Sequence, residues 1–178
     1  MMTRDEALTL IARQNPEPHM LQHALASEAV MRELARHYGE DEDLWGMVGL
    51  IHDVDFPHTK NAPEKHGLMA GELLAGKLAA EALRAVAAHN SECTGVSPES
   101  RLDYALRAAE TVTGMVSAAA LVRPTGYDGM EAKSLKKKMK DRAFAANVSR
   151  ERIRECERID LPLDDFLALS IRAMAALR

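Results

Sequence analysis

The sequence is short of aromatic residues, of cysteine and of β-branched residues. One Trp, three Tyr and three Phe in 178 residues, and 14 Val plus Ile against 29 Ala, 21 Leu and 10 Met, leave little that strands favour and exclude an all-β domain. Its two cysteines, Cys93 and Cys156, form no CxxC pair and provide no disulfide framework. No uninterrupted apolar run approaches the roughly 18 residues of a transmembrane helix, and the N-terminus lacks a basic-then-apolar leader. No repeat, low-complexity tract or long linker interrupts the chain. A net charge of −4 argues against a nucleic-acid-binding charge, and 28% charged with 47% apolar residues argues against disorder. The expectation is an all-α, cytoplasmic protein, one compact domain over residues 1–178 with about eight helices. The oligomeric state is not legible.

Start and stop signals divide the chain. Thr3 and Glu6 form a capping-box pattern that opens a helix to about Gln14. Pro16 and Pro18 separate it from a second helix, about Glu17 to His37, with Gly39 as its stop. Asp41 caps a third that ends near His52-Asp53, and Pro57 makes residues 54–63 a loop. Further helices are expected at about Glu64–Lys77, Ala79–Asn90 and Pro98–Val122, the last with Ser97 as N-cap. Basic C-terminal helices follow at about Lys133–Ala146 and Ser149–Ile159, then Leu163–Leu177. Residues 1–122 hold 10 basic and 18 acidic side chains, whereas residues 123–158 hold 11 and 6.

The histidines carry the chemistry. At 100° per residue His23 falls on the stripe of Ala26, Val30 and Leu34, His66 with Met69, Ala70 and Leu73, and His89 with Ala82, Ala85 and Val86. Glu110 borders the apolar arc of its helix, and His52-Asp53 closes the apolar segment Leu44–Ile51. Four imidazoles and two carboxylates therefore point inward from several helices. Burying such groups without partners is costly. A divalent cation, accepting imidazole nitrogen and carboxylate oxygen at one point, compensates them together. The alternative is a set of separate core polar groups, each bonded to a carbonyl or hydroxyl.

The segment Gly49-Leu50-Ile51-His52-Asp53, with His23 upstream and an acidic residue on a later helix, resembles the HD-domain superfamily of metal-dependent phosphohydrolases. The resemblance implies a helical HD-type bundle with metal ligands His23, His52, Asp53 and Glu110, the last where the family usually has aspartate. His66 and His89 are similar to the two histidines that make a dinuclear centre in some branches. Leu121-Val122-Arg123-Pro124 and Lys136–Val148 look like an uncharacterised bacterial branch of predicted HD hydrolases. Val54-Asp55 replaces the Gly-Lys that often follows the doublet, and no Gly-Tyr-Pro follows His89 as in cyclic-di-GMP phosphodiesterases.

What the resemblance implies is hydrolysis of an anionic phosphorylated small molecule by water activated on one or two ions, with Asp53 at the reacting centre. No thiolate is among the ligands, so Mn, Fe, Mg, Ni or Co suits the set. Asp55 is a candidate general base or a positioning residue, its bland reading being a loop carboxylate that caps a turn. His58, Lys60, Arg123, Lys136 and Lys137 are candidate substrate contacts, against the commoner role of solvated surface charge. Two other readings stay open: a degenerate signalling or binding module, and a di-iron oxygenase on the same scaffold.

Overall fold

The computed structural model describes residues 2–177, and among these all regular structure is helical. In chain order the helices are α1 (Arg4–Arg13), α2 (Pro18–Tyr38), α3 (Glu42–Ile51), α4 (Phe56–Thr59), α5 (Leu68–Leu74), α6 (Ala80–His89), α7 (Ser91–Thr94), α8 (Arg101–Leu121), α9 (Ala132–Met139), α10 (Arg150–Ile153) and α11 (Leu163–Ala175). Eight of them are seven residues or longer. Two 3₁₀ turns, Pro63–Lys65 and Arg154–Ile159, complete the set.

The local signals act as their chemistry dictates. Thr3 and Glu6 form the reciprocal capping box of α1. Gly39 closes α2 with φ +69°, a left-handed conformation that a side chain resists. Asp41 accepts from the backbone N–H of Asp43 and Leu44 and so opens α3.

Helix α8 is the central strut, with buried residues on every face. α2 and α3 make the tightest pair. A Cβ at Gly49 would lie 2.7 Å from the Ser27 carbonyl oxygen, and one at Gly46 would overlap the Arg32 side chain. These two glycines let the helices approach until the C-terminal end of α3, which carries His52 and Asp53, faces His23 on α2. Val30, Met31 and Leu34 of α2 and Phe166 and Leu167 of α11 are fully buried. Each such side chain contributes about 1.5–3 kcal/mol of transfer free energy.

Several boundaries differ from the sequence expectation. Residues 54–63 are not one loop, because Pro57 sits in the first turn of α4, where its missing N–H is not needed. The expected helix from Glu64 begins only at Leu68. Gly67 takes φ +90° and His66 is extended, so His66 projects from a connecting segment rather than from a helix face. α8 is capped by Ser100, not Ser97, because Asp103 completes a reciprocal capping box with Ser100. The basic helix stops at Met139 rather than Ala146. The carbonyls of Met139, Asp141, Phe144, Ala145 and Val148 turn inward to the Arg150 guanidinium, which side-chain bonding substitutes for the helical ladder.

Candidate metal centre

Four histidines meet at one carboxylate. His23 Nε2 lies 3.1 Å from His52 Nε2 and 3.7 Å from Asp53 Oδ2. His52 Nε2 lies 3.5 Å from Asp53 Oδ1. On the other side His66 Nε2 and His89 Nε2 lie 3.1 and 3.6 Å from Asp53 Oδ1 and 3.0 Å from each other. Two ligand groups result, His23–His52–Asp53 and Asp53–His66–His89, in which the donor atoms all lie within 4.8 Å of one another. Asp53 belongs to both.

The outer nitrogens settle the tautomers. His52 Nδ1 is 2.8 Å from the Gly49 carbonyl and His89 Nδ1 bonds the Val86 carbonyl, so both must donate. Thr113 gives its hydroxyl proton to the Glu110 carbonyl at 2.6 Å and therefore accepts from His23 Nδ1 at 2.9 Å. His66 Nδ1 is 2.9 Å from Asp55 Oδ1. A neutral imidazole with its N–H on Nδ1 presents a lone pair at Nε2. Four such lone pairs converge on an acceptor-only carboxylate, an arrangement that repels itself unless positive charge stands among them. Outer partners that set the tautomer in this way are what metal-binding histidines characteristically have. The Nε2–Nε2 separations of 3.0 and 3.1 Å also match the roughly 3 Å edge of an octahedral shell with arms of about 2.1 Å. The residues fit a divalent ion.

Burial holds His23 and His52 below the ordinary histidine pKa, and each also feels neighbouring imidazoles. Burial alone would raise Asp53, but the neighbouring His52, His66 and His89 take it well below the carboxylate range. His66 is the exception: burial opposes its charge, yet Asp53 and Asp55 push it up to about 9. The two carboxylates beside it thus favour the charged form of His66.

Asp55 is fully buried. Its Oδ1 takes His66, and its Oδ2 accepts the N–H of Gly67 and Ala70 at 2.8 and 3.0 Å. This geometry makes it a positioning residue that also opens α5, and it has no access to water. Glu110 stands beside His23 but in neither ligand group. Its carboxylate accepts from the Thr111 hydroxyl and lies 3.6 Å from Arg152 Nη1.

The expected substrate contacts are not brought to the cluster. His58 bonds Gln14, and Lys60 is 3.9 Å from Glu17. Arg123 closes its own turn on the carbonyls of Gly126 and Asp128. Lys136 pairs with Asp164 on the surface at 2.8 Å, and Lys137 is exposed on the same helix. Net positive charge over residues 123–158 suggested Arg123, Lys136 and Lys137, but charge alone does not say which way a helix faces.

Sequence reasoning missed Arg107, Arg152 and Thr113. Arg107 is 3% exposed and donates to the carbonyls of Ala88 and His89, at the end of α6, while pairing with Glu155 and Glu92. The available signal was an arginine set between Leu106 and Ala108-Ala109 in a largely apolar run of its helix. Arg152 forks onto Glu92.

A family model described as HD domain matches residues 20–142, a span that takes in all five clustered residues and Glu110. No curated protein and no solved structure gives a significant match. No helix among the described residues is long and apolar enough to cross a membrane.

Proposed function

Because the chain belongs to the HD-domain family, whose members are commonly metal-dependent phosphohydrolases, we propose that it hydrolyses a phosphate ester at a centre of two divalent ions. His23, His52 and Asp53 would hold one ion and Asp53, His66 and His89 the other. The observation that carries this reading is the set of four Nδ1 donors, which leaves four Nε2 lone pairs around Asp53. A bound divalent ion lowers the pKa of water from about 16 toward about 7 and offsets phosphoryl charge.

The chain's own residues do the rest. Asp53 bridges the two groups and fixes their spacing, while Gly49, Val86, Thr113 and Asp55 hold the imidazoles in register. Asp55 keeps a proton on His66 Nδ1, so only Nε2 is available inside the cluster. Glu110, next to His23 and tethered by Arg152, would act as the acidic group of the open side. Nitrogen-rich ligation favours Mn, Fe, Co or Ni over Mg.

Metal analysis of the purified chain, with phosphatase and phosphodiesterase panels after loading each metal, tests the reading. Two ions per chain with ester hydrolysis is expected. Two ions with oxygen consumption and no hydrolysis would move the assignment to an oxygenase, and no ion would leave a binding module.

A further inference from the structure

A cleft of about 500 Å³ opens directly onto His23, between α8 and the segment from Asn147 to Arg152. That is the volume of a small-molecule site. Its outer wall is well built. Arg150 gathers the last carbonyl of α9 and four of the loop that follows it, and Gly114 lets Val148 approach α8 so closely that a Cβ would meet it at 3.0 Å.

The lining is polar in a particular way. Apart from His23 no ring side chain lines the cleft, so nothing there stacks a nucleobase as aromatic platforms do. The one full cation is Arg152, already forked onto Glu92 and 3.6 Å from Glu110. No unpaired cation is left for a second phosphate, and two carboxylates would repel one. Glu92 is already saturated by Ser91, Arg107 and Arg152, but Glu110 is an acceptor with lone pairs to spare, Arg152 Nη1 is a donor, and the exposed Asn147 amide offers both. Acceptors and donors alternating around a small cavity match vicinal hydroxyl groups, each of which gives one hydrogen bond and takes others.

From this cleft we infer that the ligand is the monophosphate of a small polyhydroxylated compound, a sugar or polyol phosphate, with its hydroxyls toward Glu110 and Asn147 and its phosphate toward His23. The inference rests on the phosphohydrolase reading for the placement of the phosphate, and on the cleft for the rest of the ligand.

Calorimetry on the full chain loaded with Mn(II), titrated with hexose 6-phosphate, AMP, phosphocholine and inorganic phosphate, tests it. Hexose phosphate should bind at least tenfold tighter than AMP or phosphocholine, and Asn147→Ala should weaken it about tenfold while moving inorganic phosphate less than twofold. Equal or tighter binding of AMP or phosphocholine, or no effect of Asn147→Ala, overturns the ligand class. Hydrolysis of p-nitrophenyl phosphate by the same preparation is scored separately. Hydrolysis without a hexose preference sinks the ligand class and keeps the reaction; hexose preference without any ester hydrolysis does the reverse.

Discussion

Gly49 and Ser27 are in backbone contact: a methyl group on Gly49 would reach the Ser27 carbonyl oxygen at 2.7 Å. The same Gly49 carbonyl receives His52 Nδ1. One glycine therefore sets both the α2–α3 distance and the orientation of His52. Gly49→Ala should destabilise the fold by about 1–3 kcal/mol, the usual range for overpacking, and lower metal content even where the chain still folds. Urea unfolding and elemental analysis of the folded fraction read the two effects.

Asp53 belongs to both candidate ligand groups, so on the two-ion reading the ions should respond differently to different substitutions. Asp53→Ala should remove both. His89→Ala should leave one, held by His23, His52 and Asp53. Ion stoichiometry per chain, with helicity checked by circular dichroism, decides it; two ions retained in Asp53→Ala would refute the bridge.

Arg107 acts on His89 from outside the cluster. Removing its guanidinium strands Glu155 and frees the last carbonyls of α6. Arg107→Met should cost about 2–4 kcal/mol, the scale for breaking a mostly buried charged pair. It should also weaken the ion at His66–His89 more than the ion at His23–His52. Stepwise metal titration of the variant separates positioning from general loss of stability, which would weaken both ions alike.

Glu92 gives a pH dependence with a definite sign. The Arg107 bond is the main cause, burial opposes it and Arg152 adds to it, so that the folded pKa is taken down to about 2 from an ordinary value of 4.5. A depressed carboxylate stabilises the fold fully above its unfolded pKa, and that contribution disappears as pH falls toward the folded value. Wild type should lose stability relative to Glu92→Gln between about pH 4.5 and pH 2, and the difference should be constant above pH 5. Because half the side chain is exposed, solvent screening makes the effect small.

The two thiols should be distinguishable. Burial pushes Cys156 up to about 12, whereas Cys93 is exposed. A thiol reagent at pH 8 should label one cysteine in the native chain and two in denaturant. Mass spectrometry of the labelled protein identifies which.

Much of the architecture follows from local chemistry written in the sequence. The Thr3–Glu6 and Asp41 caps, the Gly39 stop and the Pro16–Pro18 break act within four residues of themselves, so α1, α2 and α3 begin and end close to where the sequence places them. The inward faces of His23 and His89 follow from helical periodicity for the same reason. His66 was harder to place: its apolar spacing suggested a helix, but the positive φ of Gly67 and the Asp55 carboxylate hold it on a turn. Neither is visible without the backbone.

Tertiary structure decided which charges meet. Glu110 shares a helical arc with core residues, yet Arg152, 42 positions later, draws its carboxylate to the cleft wall. Lys136 and Arg123 sit in the basic stretch but are engaged by Asp164 and by a local turn. Helix periodicity states which side of its own axis a residue occupies. It does not state what stands opposite, because opposite charges find each other only after the axes have packed. The inward faces of His23 and His89 were thus local information, whereas the division of the five clustered residues into two groups around one carboxylate, with Glu110 in neither, depended on how the helices pack, including how closely Gly46 and Gly49 let α3 approach α2.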